Sequence, residues 1–368
     1  MINNTTNRPV EKIKSTTHMI FEPTSGWMYS HHASLAFFKD KFWAVWSNGR
    51  ANEDDCGQRV MLAESDDGEN WTNVRPIVTP DMIGDPRKVL IASGIYVNDN
   101  RMNVYFCSYG YAEEVLKGGN TRPFADVLRK DMETGVVSTT DGVHWSEPQF
   151  LGIKIHPTHG PQKLNSGRLL MTGSFVHPYT DNADGINGYK NAGIYGDTFG
   201  DTTPCEELLW DMPKQRGWDV KLLCEGSFYQ TDDDVVHMML RSNTPNLWHS
   251  ESHDDGETWS EPAPTEYSDD ASKFHFGRLP DGRFYGVSNT IPQDSRRNPL
   301  VICVSEDGVN FDKHFILRNE PYVMKADGMY KGGDYAYPHT LIHDGYMYVI
   351  YTKGKECVEV TKFALDRL

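Results

Sequence analysis

Cysteine is sparse and scattered in this chain. Cys56, Cys107, Cys205, Cys224, Cys303 and Cys357 make no C-x-x-C and no close pair, which excludes a disulfide-dense scaffold and reads as free thiols in a reducing compartment. Long apolar runs are missing as well: no segment approaches the roughly 18 residues needed to span a bilayer. The N-terminal stretch MINNTTNRPVEKIKSTTHM is polar and lacks the apolar core of a secretory signal. The expected location is therefore cytoplasmic, or secreted or periplasmic if a leader has been removed. Basic residues are in deficit. With 36 Lys and Arg against 52 Asp and Glu, the formal net charge is −16, which argues against nucleic acid or an anionic membrane as partner. It says nothing of the local sign of a pocket. Helical periodicity is also missing, no H-E-x-x-H or comparable ligand spacing occurs, and no cofactor or metal is expected.

Turn-formers and aromatics are plentiful. The chain has 32 Gly, 20 Pro and 12% aromatic residues, a composition that suits many short strands joined by tight turns. One turn recurs. It appears as Glu64-Ser-Asp-Asp-Gly-Glu-Asn-Trp71, Ser138-Thr-Thr-Asp-Gly-Val-His-Trp145, Ser252-His-Asp-Asp-Gly-Glu-Thr-Trp259 and Val304-Ser-Glu-Asp-Gly-Val-Asn-Phe311. The third fits S-x-D-x-G-x-x-W, the Asp-box pattern, at every fixed position. The others keep the Gly and the aromatic but drift at the Ser or the Asp. A small or acidic side chain bonds to the turn's own N–H groups, Gly takes the φ > 0 corner and the aromatic packs beneath. These turns are staples, without chemistry of their own, and their recurrence signals a repeat architecture.

A second pattern interleaves with the first. Alternating strands flank short polar turns in the segments 34–47, 90–107, 160–176, 226–241, 274–288 and 338–352, and period-two alternation around such turns reads as a hairpin. In four units a following strand runs into a box. Hairpin, strand, box, strand makes a four-stranded sheet, and radial repetition of such sheets is a β-propeller. The fold class is thus all-β, one domain over 1–368, with six blades counted and room for a seventh in 110–135 or 177–222. The ring would be closed by 358–365 or by the N-terminal segment.

Propeller inner strands converge on a central channel, so the start of each first strand carries the candidate site. The residues there are His31, His32 and Ser34; Ser93; His159 and Gln162; Glu225 and Ser227; Lys273 and His275; Tyr337 and His339. Counted back from the turns, the side-chain parity of His159, Tyr337 and His339 differs from that of His275, which only bulges can reconcile.

At these residues the chain resembles the sialidase superfamily of Asp-box propellers. The stretch 46–71 is similar to the segment that carries a catalytic acid before the first box, and Asp55 is its nearest match. Cys224-Glu-Gly-Ser-Phe resembles the segment carrying a Glu and, one strand pair later, a clamp Arg, here Glu225 and Arg241. Ser295-Arg-Arg-Asn-Pro is similar to the last clamp segment, with Arg297 or Arg296. Asp334-Tyr-Ala-Tyr-Pro-His resembles the segment of the Tyr nucleophile, here Tyr337. The resemblance implies Tyr337 activated by Glu225, Asp55 as acid, and Arg241 with Arg297 on a carboxylate. His31 stands where the first clamp Arg would be, and a neutral imidazole is a poor substitute for a guanidinium fork. The segments Ser30-His-His-Ala-Ser-Leu, Lys273-Phe-His-Phe-Gly-Arg and Tyr337-Pro-His-Thr-Leu look closer to propellers that act on rhamnosyl-glucuronate or ulvan-type linkages, which include hydrolases and lyases. That resemblance implies catalytic histidine at His31 or His32, and substrate contacts at His159, Arg241, His275, Arg297 and His339. The expected partner is an oligosaccharide or polysaccharide fragment. A glycoside hydrolase leads, a polysaccharide lyase follows, and an exo-sialidase-like hydrolase, a non-catalytic glycan-binding propeller and metal binding by the histidine rim remain as alternatives.

Overall fold

Each alternating segment forms the hairpin its pattern requires, and each hairpin begins one sheet. The computed structural model describes residues 1–4, 11–116, 119, 121, 129–174, 176–192, 214, 216–220 and 222–368. Six sheets stand among them. The first consists of Tyr29–Phe38, Lys41–Gly49, Arg59–Ser65 and Thr72–Val78; the second of Val89–Asn98, Arg101–Gly110, Lys130–Thr139 and Gln149–Phe150. The third shows His159–Lys163, Leu169–Thr172 and Tyr179–Thr180; the fourth Leu223–Gln230, Val236–Ser242, Asn246–Ser252 and Ala263–Ser268. The fifth contains His275–Arg278, Phe284–Ser288, Leu300–Ser305 and Lys313–Arg318, and the sixth Tyr335–His343, Tyr346–Lys353 and Cys357–Ala364. The stretches 110–135 and 177–222, where a seventh sheet had room, give strands to the second and third sheets and lie in part outside the described residues. Among the described residues, the complete helical elements are single turns such as Glu113–Leu116.

The first strands of neighbouring sheets pack around a ring, with the sixth against the first; between the third and fourth sheets the contact comes from Leu169–Thr172. This is a β-propeller-type arrangement. The apolar core lies between sheet faces. Val45 and Leu62 meet Val104 and Phe106 between the first two sheets, and Val287 and Ile302 meet Val349 and Tyr351 between the last two. Each such buried side chain contributes roughly 1.5–3 kcal/mol. The ring closes through the N-terminal segment: Thr16–Phe21 pairs antiparallel with Cys357–Ala364 as the sixth sheet's outer strand. Glu11–Lys12, just before it, pairs parallel with the outer strand of the fifth. Cys56, Cys107, Cys224, Cys303 and Cys357 are buried and form no disulfide, and Cys205 lies outside the described residues.

The boxes sit between the third and fourth strands of the first, second, fourth and fifth sheets. Their wiring corrects the sequence alignment. Ser65, Thr139 and Ser305 each accept from the box glycine N–H at 2.9 Å, as Ser252 does at 2.8 Å. Asp67, Asp141, Asp254 and Asp307 accept from the N–H groups that follow. Nothing has drifted: three boxes make the same bonds in a loop one residue shorter.

Five of the six first strands carry one extra residue at the same level, between His31 and Ser34, Ala92 and Ile95, His159 and Gln162, Cys224 and Ser227, and Ala336 and His339. The first strand of the fifth sheet pairs without a shift. These bulges reconcile the parity mismatch. Three place a non-glycine residue in the left-handed region: His32 (φ 56°), Glu225 (φ 50°) and Tyr337 (φ 58°). Such conformations cost about 1–3 kcal/mol each and persist where the surroundings enforce them. The second sheet uses Gly94 (φ 96°), where an added Cβ would fall 2.0 Å from the Gly160 nitrogen of the third sheet.

Candidate active site

The three strained residues face one cavity of about 860 Å³. His32, Glu225 and Tyr337 supply its wall from the first, fourth and sixth sheets, and Arg241 stands on the strand beside Glu225. Glu53 and Asp54 enter from the loop after Lys41–Gly49, and Arg297 from the loop after Phe284–Ser288. Arg129, His156 and Lys355 add to the polar surface, as do Arg296 and Lys331.

Arg241 Nη1 donates to Glu225 Oε2 at 2.5 Å and to the Tyr337 hydroxyl at 2.8 Å. Burial works against the Glu225 carboxylate, but the Arg241 charge and a hydrogen bond from Tyr337 override it and hold its pKa down to about 2. Tyr337 moves the other way: burial and the Glu225 charge push its phenol well above the usual value, against the pull of Arg241 and Arg297. The resting pair is an ionised Glu225 and a protonated Tyr337.

Cations in the wall are mostly spoken for. Lys355 Nζ lies 2.9 Å from Glu53, and Arg129 Nη2 lies 3.3 Å from Asp54. Among the described residues of the wall, Arg297 has no carboxylate partner, and its buried Nε and Nη1 meet no acceptor. Its backbone N–H donates to Asp270 Oδ2 at 2.6 Å, and its guanidinium carbon lies 5.3 Å from the Tyr337 ring centroid. An acidic chain thus presents a local unpaired cation.

His31 lies behind the wall. Its ring centroid is 3.9 Å from that of Tyr337 and 4.4 Å from that of His32. Thr352 Oγ1 donates to Ala336 O, so it accepts from His31 Nδ1 at 2.9 Å, which leaves a lone pair on the buried, unbonded His31 Nε2. Burial, then the neighbouring His32, depresses the His31 pKa; burial, then His156, depresses that of His32. Both rings are neutral at pH 7.

The sequence placed some residues elsewhere. Asp55 does not line the cavity. Its carboxylate accepts from the Asn52 backbone at 3.0 Å and from the Asn52 amide, because the tight turn folds it inward. Asp54, at φ 63°, takes the outward position. Arg296 lines the cavity but pairs with Asp334 at 3.7 Å. His159, His275 and His339 form a separate buried cluster, away from the cavity wall, with ring centroids 4.5–5.7 Å apart. Most of their nitrogens are engaged: His159 Nε2 with Phe274 O, His275 with Gln162 and Thr340, and His339 Nδ1 with the Leu35 N–H. Buried Lys273, its pKa lowered to about 8 by burial, adds a nearby positive charge that disfavours a cation there. Glu53, Arg129, His156 and Lys355 escaped the sequence reading because they lie in turns and irregular stretches without pattern; only ring geometry gathers them.

A second histidine group, His31 and His32 with Glu53, and a third, His237 and His249 with Glu251, have ligand atoms within 4.8 Å of one another. The second group reaches the cavity through His32 and Glu53, beside Lys355 and Arg297, so its surroundings are already cationic.

Comparison with solved structures shows the fold's relatives. NanB sialidase from Streptococcus pneumoniae superposes with a TM-score of 0.67 at 12% identity, over 95% of this chain and 71% of that one. The intramolecular trans-sialidase from Ruminococcus gnavus gives 0.66 at 13%, over 95% and 97%. A protein of unknown function from Dyadobacter fermentans gives 0.67 at 15%, over 96% and 99%. These likenesses establish a shared fold. A comparison with curated protein sequences found no match. The BNR repeat-like domain model matches residues 40–349, most of the length over which the sheets and boxes repeat. The chain belongs to the BNR repeat-like domain family.

Proposed function

We propose that this chain is a glycoside hydrolase that removes a terminal, carboxylate-bearing sugar from a glycan, using Tyr337 as nucleophile and Glu225 as its base, in a single six-bladed propeller domain spanning 1–368. The observation that carries the reading is the Arg241-centred pair: a buried phenol and a half-buried carboxylate sharing one guanidinium nitrogen on a cavity wall. Sialidase-fold neighbours, two of them a sialidase and a trans-sialidase, support a glycan as partner.

The chemistry follows from charge. Arg297, with two buried unbonded donors, would receive the sugar carboxylate, and Arg241 would share it. An incoming anion draws on the same Arg241 charge that now holds Glu225 acidic, so binding raises the basicity of Glu225 when the Tyr337 proton must leave. Phenolate oxygen bonds to the anomeric carbon as the glycosidic bond breaks, and the leaving oxygen takes a proton from the acid side of the cavity. Asp54, with Glu53 beside it, serves there in place of Asp55. Water then reverses the covalent step.

A histidine-based elimination on a uronate, as in rhamnosyl-glucuronate or ulvan-type propellers, is the second reading. Neutral His32 and His156 on the wall favour it. Product analysis on sialosides, rhamnosyl-glucuronides and ulvan fragments separates the two. Release of a saturated acidic sugar supports hydrolysis. An unsaturated uronate supports elimination, and absence of any product across acidic glycans overturns the enzyme reading.

A further inference from the structure

On the fourth sheet, far in sequence from the first and sixth sheets' contributions to the cavity, three donors share one sheet face. His237 pairs across strands with Glu251, and His249 lies two residues before Glu251, so period-two alternation turns all three the same way. The rings stack in a row: Tyr229 on His237 at 5.0 Å and 14°, then His237 on His249 at 5.2 Å and 21°. His237 Nδ1 and His249 Nε2 are 3.0 Å apart, and all three donor atoms fall within 4.8 Å of one another. Two imidazole nitrogens on a tetrahedral zinc ion, at about 2.0–2.1 Å each, stand about 3.3 Å apart. The pair is already near that spacing.

The next shell sets the tautomer. Thr231 Oγ1 spends its proton on Asp233 Oδ1 at 2.5 Å, so it accepts from His237 Nε2 at 3.3 Å. That fixes the proton on Nε2 and leaves the Nδ1 lone pair facing His249. A carboxylate behind a ligating histidine, here relayed through a hydroxyl, is the usual support of a metal-bound imidazole. With the His237 Nδ1 lone pair facing His249 Nε2, His249 need only shift its proton from Nε2 to Nδ1 to bind. Among the described residues no Lys or Arg pairs with Glu251; its neighbour is His253, whose Nε2 lies 3.1 Å from Oε1. The three ligands are half-buried, so an ion can enter from solvent.

We infer that His237, His249 and Glu251 form a binding site for a zinc-type divalent ion, with His253 as a fourth donor, clamping two adjacent strands of the fourth sheet. The donor set of two imidazoles and a carboxylate selects such borderline ions over Mg²⁺ or Ca²⁺. The site does not depend on the cavity's chemistry.

The test uses chelator-treated full-length protein with Zn²⁺ and, as spectroscopic probe, Co²⁺. Calorimetry is expected to show one saturable site, Co²⁺ to give the intense visible bands of tetrahedral coordination, and Zn²⁺ to raise the melting temperature. The double variant His237→Asn/His249→Asn, and separately Glu251→Gln, should each stay folded by circular dichroism, with the double variant losing about 100-fold or more in affinity. Magnesium should not compete. Absence of stoichiometric binding, or binding and a melting shift unchanged in the double variant, overturns the inference. Persistence of the bands in that variant would assign the ion to another cluster.

Discussion

Arg241 holds Glu225 and Tyr337 through a single nitrogen, with the carboxylate oxygen at 2.5 Å and the phenol oxygen at 2.8 Å. Neither partner can change protonation without the other two groups responding. The first expectation follows from that coupling. Tyr337→Phe removes the nucleophilic oxygen and leaves the Arg241–Glu225 ion pair in place. Turnover should fall by at least about 10²–10⁴-fold while binding of an acidic glycan, read by calorimetry, stays within a few-fold. Retained turnover would move the chemistry to the histidines.

Glu225→Gln should destabilise the fold by about 1–3 kcal/mol, because it leaves the half-buried Arg241 without its counter-charge. The variant should also change the acid limb. Glu225 has a folded pKa of about 2, below its ordinary value, so its contribution is present above the unfolded pKa and is lost as pH falls toward 2. Urea midpoints between pH 5 and 3 should decline less steeply in the variant than in the parent chain. Equal slopes would show that Glu225 does not titrate as described.

Arg297→Lys is expected to separate binding from stability. No acidic side chain among the described residues pairs with this guanidinium, so unfolding midpoints should move little, whereas the apparent KM for a carboxylate-bearing glycoside should rise about tenfold or more. An unchanged KM would remove Arg297 from the carboxylate site.

The buried histidines set a second pH dependence. His31, His32, His159 and His339 all have folded pKa values well below the ordinary value, chiefly through burial. Their unfolded forms take up protons below about pH 6.5 while the folded ones do not, so stability should fall as pH drops from 6.5 toward 5. His31→Gln and His159→Gln variants should show a shallower fall over that window. A flat profile in the parent chain would mean the rings are charged in the fold.

Gly94→Ala tests the contact between the second and third sheets. The new methyl would meet the Gly160 backbone at 2.0 Å from a residue at φ 96°, and a backbone neighbour cannot swing away. Destabilisation of at least about 3 kcal/mol is expected by thermal or urea unfolding. A midpoint close to that of the parent chain would show that the sheets separate easily there.

What was legible in the sequence was what is local. Alternation and turn chemistry fix a hairpin within about fifteen residues, so all six hairpins and the position of each box could be read directly. Bulges depend on which residue of the partner strand lies opposite, which pattern alone does not reveal. The parity conflict at His159, Tyr337 and His339 was their only trace. Asp54 and Asp55 are adjacent carboxylates, and the choice between them turns on one backbone angle. His159, His275 and His339 share the strand level of the site but pack against one another, and none of them occupies the left-handed bulge position that presents His32, Glu225 and Tyr337 to the cavity.

Closure by the segment 11–21 has a temporal consequence. The sixth sheet's outer strand, Thr16–Phe21, pairs with Cys357–Ala364, and Thr17 and Thr361 of that pair lie 344 positions apart. During synthesis Thr16–Phe21 must wait unpaired until that distant strand has been made, and Glu11–Lys12 must wait for Lys313–Arg318. Pairing over so large a sequence separation is slow, so the joining of these strands comes late in folding. Until then two sheet edges remain open to strands from other molecules.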